Sequence, residues 1–433
     1  MKRISICIFL IISLFTASLT AQSLNSKQLD GVINSQLPQT LYLHREFARL
    51  PNDAAIPEDM PANIEWLEKQ FGRRGFEMKR LETGSIPLLL AEQKSEAADA
   101  PTVLMYFHFD GQPVDPTKWD QPDPFEPVLK TQLPDGSWQA LSYDRLREEI
   151  NPEWRIFGRA AADDKGPILM LLRALDLMRQ LEKSLPFHLK VLLDGEEEKG
   201  SKGLLQSLKL HQSLFAADHF LILDGPEHMS RKPTLTFGCR GIARGELTVY
   251  GPATPQHSGH YGNYAPNPTF RLAQLLSSMK APDGKVLVAG YYEQVQLSAA
   301  EKKQLAAIPA VPELMRKQLG IAAAEAVGDS YQEALQYPTL NIPAMGSGDL
   351  GLRRTIIPGE AIAKLEMRLV KETPGDSLIR LVRQHIEGQG YLVLDREPSP
   401  TERLQYPLIA KYSGSTSVNA FRTDPQSPTG QWL

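Results

Sequence analysis

Cysteine is almost absent. Of 433 residues only Cys7 and Cys239 are cysteines, which excludes a disulfide scaffold. A dominant charge sign is missing too: 47 Lys and Arg stand against 51 Asp and Glu, a net −4. With no cluster of basic residues either, nothing favours nucleic acid as a partner. Long hydrophobic runs are confined to residues 4–15, and that run falls short of the roughly 18–20 residues a bilayer span needs. It follows Lys2-Arg3 and precedes a small-residue stretch, 16–21, with Leu19 and Ala21 at the −3 and −1 positions. That is the pattern of a cleaved signal peptide. The expectation is a leader over residues 1–21 and a periplasmic or secreted protein with one remaining cysteine, Cys239, and no stable membrane anchor.

Other absences narrow the chemistry. There is no internal repeat, no P-loop, no HExxH and no GxSxG nucleophile elbow. Residues 346–351 (GSGDLG) formally spell GxGxxG, but LRRTIIP follows them. A β-rich, proline-terminated stretch stands where dinucleotide binding requires a helix N-terminus, so nucleotide is not expected.

What is present is ordinary globular composition, 42% hydrophobic and 23% charged, with length for two or three domains. Residues 26–50 and 59–75 have helical apolar spacing, and 76–81 and 87–92 read as short strands. Three continuous apolar runs follow, 103–107, 188–193 and 220–223, as expected of strands buried on both faces. Helical patterns at 166–180 and 200–210 alternate with them, which predicts an α/β domain with a largely parallel sheet. Residues 112–152, rich in Pro and Asp, read as a long surface loop. From about residue 240 the pattern changes. Strands at 241–250, 361–370 and 391–394, helices at 267–279 and 376–387, and a polar helical insertion at 298–326 predict a small α+β domain.

The apolar runs end in chemistry. His108 and Asp110 close the first, Glu196, Glu197 and Glu198 the second, and Asp224 the third, while Asp163 and Asp164 lie between a strand-like segment and a helix. Ligands bind outside the carboxyl ends of such strands. Each residue has a plainer explanation: a structural histidine, a helix N-cap, a solvated acidic face. Those explanations give no reason for four separate strand ends to carry acids or a histidine. Converging carboxylates and an imidazole suit divalent cations, with a neighbouring Glu as general base.

The run His108-Phe109-Asp110, Asp163-Asp164-Lys165-Gly166, Glu197-Glu198 before Gly200-Ser201, Asp224 and His257-Ser258-Gly259 resembles the co-catalytic zinc peptidases. That family includes acetylornithine deacetylase, succinyl-diaminopimelate desuccinylase, aminoacylase and carnosine dipeptidase. YPTL at 337–340, and IIP at 356–358 ahead of a strand ending RLV at 368–370, point to the dipeptidase branch. The resemblance implies a three-layer αβα catalytic domain with a mostly parallel sheet, and an inserted βαββαβ-like lid and dimerisation domain. The boundaries expected are a leader 1–21, catalytic domain 22–238, inserted domain 239–395 and a partial return at 396–433. It implies two divalent metal ions, zinc or else manganese or cobalt, with His108 and Asp224 as terminal ligands of one, Asp163 bridging and Glu198 a terminal ligand of the other. Glu197 would be the base, Asp110 would orient His108, His257 would reach a partner subunit's oxyanion, and Arg368 would bind the substrate carboxylate.

One element of the family pattern is not found: a final histidine ligand in a His-Ser-x-Asn-Glu context, since the last histidine, His385, sits in a predicted helix. The expectation is a C-terminally truncated and therefore weakly active or inactive chain. The leading function is cleavage of dipeptides or short peptides by a homodimeric metallohydrolase. The alternatives are N-acyl amino acid deacylation and a non-catalytic dimeric binding protein.

Overall fold

The computed structural model describes residues 25–225, 227–348 and 354–433. The expected leader and the second half of the GxGxxG stretch lie outside the described residues. The chain divides into two compact units, Met1–Gly225 and Pro226–Leu433.

The first unit begins with α1 (Ser26–Ala48), started by a capping box in which Asn25 and Gln28 satisfy each other's backbone N–H groups. Helix α2 (Met60–Gly72) follows. Next come β1 (Glu77–Leu81), β2 (Leu88–Gln93), β3 (Thr102–His108), β4 (Val128–Gln132), β5 (Trp138–Leu141) and β6 (Arg155–Phe157). Helix α3 (Lys165–Gln180), β7 (His188–Asp194), α4 (Lys202–Leu210) and β8 (His219–Ile222) complete it.

The main sheet has the order β1-β2-β7-β3-β8. Strand β3 runs parallel to β7 and to β8, whereas β2 is antiparallel to both β1 and β7. β1, β7, β3 and β8 therefore run in one direction and β2 alone is reversed, as the short β1–β2 connection requires. Alternate side chains separate the layers. Leu89, Ala91, Phe107, Val191 and Leu193 pack with Phe71, Ile168 and Leu172 of α2 and α3. Leu88, Leu90, Leu104, Tyr106 and Leu192 pack on the other face with Phe215 and with Leu204 of α4. Both faces are covered, and the three-layer α/β expectation is met.

The stretch expected to be loop holds structure of its own. Strands β5, β4 and β6 form a small antiparallel sheet over Leu129, Tyr143 and Leu146. Its hairpin turns at Asp135-Gly136, where Gly136 takes φ 88°. Four- and five-residue strands among prolines leave too little periodicity to read.

The second unit contains β9 (Gly238–Cys239), β10 (Gly241–Tyr250), β11 (Gln256–His257), α5 (Ser258–Tyr261) and α6 (Pro268–Met279). Helices α7 (Ala299–Ala307), α8 (Pro312–Leu319) and α9 (Tyr331–Ala334) follow. Then come β12 (Asn341–Gly346), β13 (Ile356–Ile357), β14 (Glu360–Leu369), α10 (Gly375–Gly388), β15 (Leu392–Leu394) and β16 (Ile409–Val418). Its five-stranded sheet has the order β12-β14-β10-β16-β15. The strict alternation of β14 turns Ala361, Ala363, Leu365, Met367 and Leu369 inward, against Leu272, Leu276 and Met279 of α6 and Leu378, Val382 and Ile386 of α10.

Residues 396–433 do not return to the catalytic domain. Strand β16 lies beside β10 for its whole length, from Ala410 opposite Val249 to Val418 opposite Ile242, and belongs to the second unit's sheet. The short strand expected at 391–394 is the three-residue edge strand β15, which runs parallel to β16. The second half of β16, Ser-Gly-Ser-Thr-Ser, carries no apolar alternation, so only backbone pairing reveals it.

Candidate metal centre

Parallel neighbours end on the same edge, so β3, β7 and β8 bring His108, the 195–198 turn and Asp224 together. His108 is 1% exposed. Its Nε2 lies 2.7 Å from Asp163 Oδ1 and 3.8 Å from Asp224 Oδ1. Its Nδ1 donates to Asp110 Oδ1 at 3.3 Å. Burial lowers the His108 pKa, but the bonds to Asp110 and Asp224 outweigh it and raise it to about 11.

Asp110 is wholly buried. Besides His108, it accepts the backbone N–H groups of Glu197 and Glu198, each at 3.1 Å. The turn they start is tight. At Gly195 a Cβ would sit 2.7 Å from both Ile86 and Phe109. Buried Asp194 braces the same turn, taking the Glu196 N–H at 2.9 Å and the Tyr106 hydroxyl at 3.1 Å. Burial pushes the Glu197 carboxyl above the usual range, opposed by His108 and reinforced by Asp224 and Glu198. Glu198 is raised chiefly by burial, opposed by its hydrogen bond from the Gln112 side chain.

Asp163 is 66% exposed and has His108 as its partner. Asp164 differs entirely. It is buried, accepts the His108 backbone N–H at 3.1 Å, and burial pushes its pKa up to about 8. Ligand atoms of His108, Asp163 and Asp224 all lie within 4.8 Å of one another, the one such cluster among the described residues. One imidazole nitrogen and two carboxylates fit a single zinc-type divalent cation. Glu198 stands outside that cluster, electrostatically coupled to Asp163 and His108.

His257 and Arg368 belong to the second unit. His257 Nδ1 accepts the Gly259 N–H at 3.1 Å, which leaves Nε2 as the N–H of the neutral ring. The His260 ring lies 4.7 Å away, centroid to centroid. Arg368, on β14, is half-exposed, with Nε 3.5 Å from Glu366. The contributions of Asp164, Gln112 and Asp194 escaped the sequence reading. Asp164 sat in view within Asp163-Asp164-Lys165-Gly166, but its partner is a backbone N–H, which no residue pattern encodes.

Residues 237–391 match the model of a peptidase dimerisation domain. The Cys-Gly metallodipeptidase dug1 of Schizosaccharomyces pombe is 28% identical over 353 residues, 77% of this chain and 69% of that protein. The beta-Ala-His dipeptidase of Mus musculus is 30% identical over 309 residues, 70% of this chain and 58% of its own length. The chain is thus similar to the M20 peptidases. Two solved structures share the M20 fold. The M20 family metallo-carboxypeptidase Sso-CP2 from Sulfolobus solfataricus superposes with TM-score 0.64 at 24% identity, over 90% of this chain and 81% of that one. Human carnosine dipeptidase 1 gives 0.64 at 23% identity, over 92% and 81%. The match spans under two thirds of the mouse relative's length. Among the described residues, no helix of the chain is long and apolar enough to cross a membrane.

Proposed function

We propose that the chain is a metal-dependent dipeptidase that hydrolyses the amide bond of short peptides with a free carboxylate. The observation that carries this reading is the convergence of His108, Asp163 and Asp224 beside the raised carboxyl of Glu197. The relatives named as dipeptidases support it. His108, Asp163 and Asp224 would hold the first cation, and Asp163 and Glu198 would share a second. When bound, the metal polarises the scissile carbonyl and lowers the pKa of the attacking water.

The chain's own residues do the rest. Glu197 accepts the proton of the attacking water on a carboxylate oxygen and delivers it to the leaving nitrogen, a task that suits a carboxyl raised toward neutral pH. Asp110 fixes the His108 tautomer with Nε2 toward the ligand cluster. His257 would offer its Nε2–H to the developing oxyanion at a partner subunit's site, and Arg368 would bind the substrate carboxylate. A homodimer through residues 237–391 and export by the leader complete the proposal.

The decisive assay follows Cys-Gly and β-Ala-His hydrolysis, with N-acyl amino acids as competing substrates, in the presence and absence of zinc. Glu197→Gln should lower kcat by about 10²–10⁴-fold while zinc still binds. Zinc-independent turnover, or full activity in Glu197→Gln, overturns the reading.

A further inference from the structure

Lys165 is the most conspicuous charged group that this chemistry leaves unused. It is 0% exposed and has no carboxylate within ion-pair distance among the described residues. Its Nζ donates to Phe47 O at 3.0 Å and Leu50 O at 2.7 Å, and lies 4.6 Å from the centre of the Phe47 ring. Both carbonyls sit at the C-terminal end of α1, where unpaired carbonyls and the helix dipole favour a cation. Burying an amine this completely costs free energy that two carbonyls and a ring offset only in part.

The other side of the same loop has a matching anchor, also from α1. His44, buried, donates through Nε2 to Ala161 O at 2.6 Å. Its Nδ1 has no hydrogen-bond partner among the described residues, so the single bond to Ala161 accounts for the polar ring. Between the anchors the chain is drawn tight. A Cβ at Gly166 would stand 2.8 Å from Ala161 O. Asp164 adds a third hold, on the His108 backbone N–H. Asp163 sits between Ala161 and Lys165, exposed, and among the described residues its side chain has His108 as its hydrogen-bond partner.

We propose that His44 and Lys165 are positioning residues for Asp163: the end of α1 grips the metal-bridging loop two residues before and two residues after it. The grip leaves the Asp163 carboxylate oxygens free for cations while removing the backbone freedom that would scatter them. Supporting contacts of this kind are worth about 10–100-fold in metal affinity. The proposal rests on reading His108, Asp163 and Asp224 as metal ligands.

The test titrates purified full chain with zinc alone, against a chromophoric chelator, in wild type, His44→Leu, His44→Gln and Lys165→Met. No substrate is present, so the outcome is independent of whether dipeptides are hydrolysed. His44→Leu fills the same space without the donor, and should weaken zinc binding at least tenfold with native circular dichroism. His44→Gln restores an N–H donor and should bind within about threefold of wild type. Lys165→Met risks misfolding, which is why the His44 pair carries the decision. A folded His44→Leu with wild-type affinity overturns the proposal. So does His44→Gln as weak as His44→Leu, because that would assign the effect to ring volume, or a folded Lys165→Met with unchanged affinity.

Discussion

Asp110 shows how one carboxylate can organise several others. It accepts from His108 with one oxygen and from the N–H groups of Glu197 and Glu198 with both, so the proposed ligand and the turn bearing the proposed base share one buried support. Asp110→Asn preserves volume but gives up the charge and turns one acceptor into a donor facing an N–H. Zinc affinity should fall by about 10–100-fold, and kcat with it, measured by chelator competition and dipeptide turnover. Equal affinity in the variant would mean that the imidazole needs no orienting charge. His108, Asp163 and Asp224 were legible in the sequence because they stop apolar runs or precede a helix. Asp164, Gln112, His44 and Lys165 were not, because they act on backbone atoms or on one neighbour's side chain, contacts that only the folded chain creates.

Among elements, length and repetition separated what could be read from what could not. The buried strands β3 and β7 and the alternating β14 announced themselves, as did α3 and α10. Strands β4, β5 and β16 did not: the first two are short and proline-flanked, and β16 ends in small polar residues. Strand β16 nonetheless supplies β10 with its second partner and contributes Ala410 and Tyr412 to the core. A chain ended after residue 395 should therefore lose the second unit's cooperative unfolding and aggregate, as followed by calorimetry and light scattering; a soluble product with an unchanged transition would contradict this pairing.

Helix α10 also carries a pH dependence. Burial lowers the pKa of His385, whose Nε2 meets Ser278 Oγ at 2.8 Å, below its ordinary 6.5. Above 6.5 the ring is neutral in both states and its contribution is complete. As pH falls below 6.5 the unfolded chain takes up the proton first, so stability declines. Denaturant melts between pH 7.5 and 5 should show this slope reduced in His385→Gln.

At the scale of the molecule, the proposed metal ligands all lie in the first unit and the dimerisation-domain match in the second. Zinc should accordingly stabilise the first unit, by about 2.7 kcal/mol at a hundredfold excess over Kd. Hydrogen exchange with and without chelator should show protection rising around β3, α3 and β8 and little change around α6 and β14. Uniform protection across both units would argue for a different site.

Lys165 has one more consequence. An amine with no exposed surface cannot meet an acylating reagent while the fold is closed, whereas surface lysines such as Lys118 react at once. The chain thus carries its own clock: mass-spectrometric labelling at Lys165 counts openings of the α1–α3 junction and registers nothing in between.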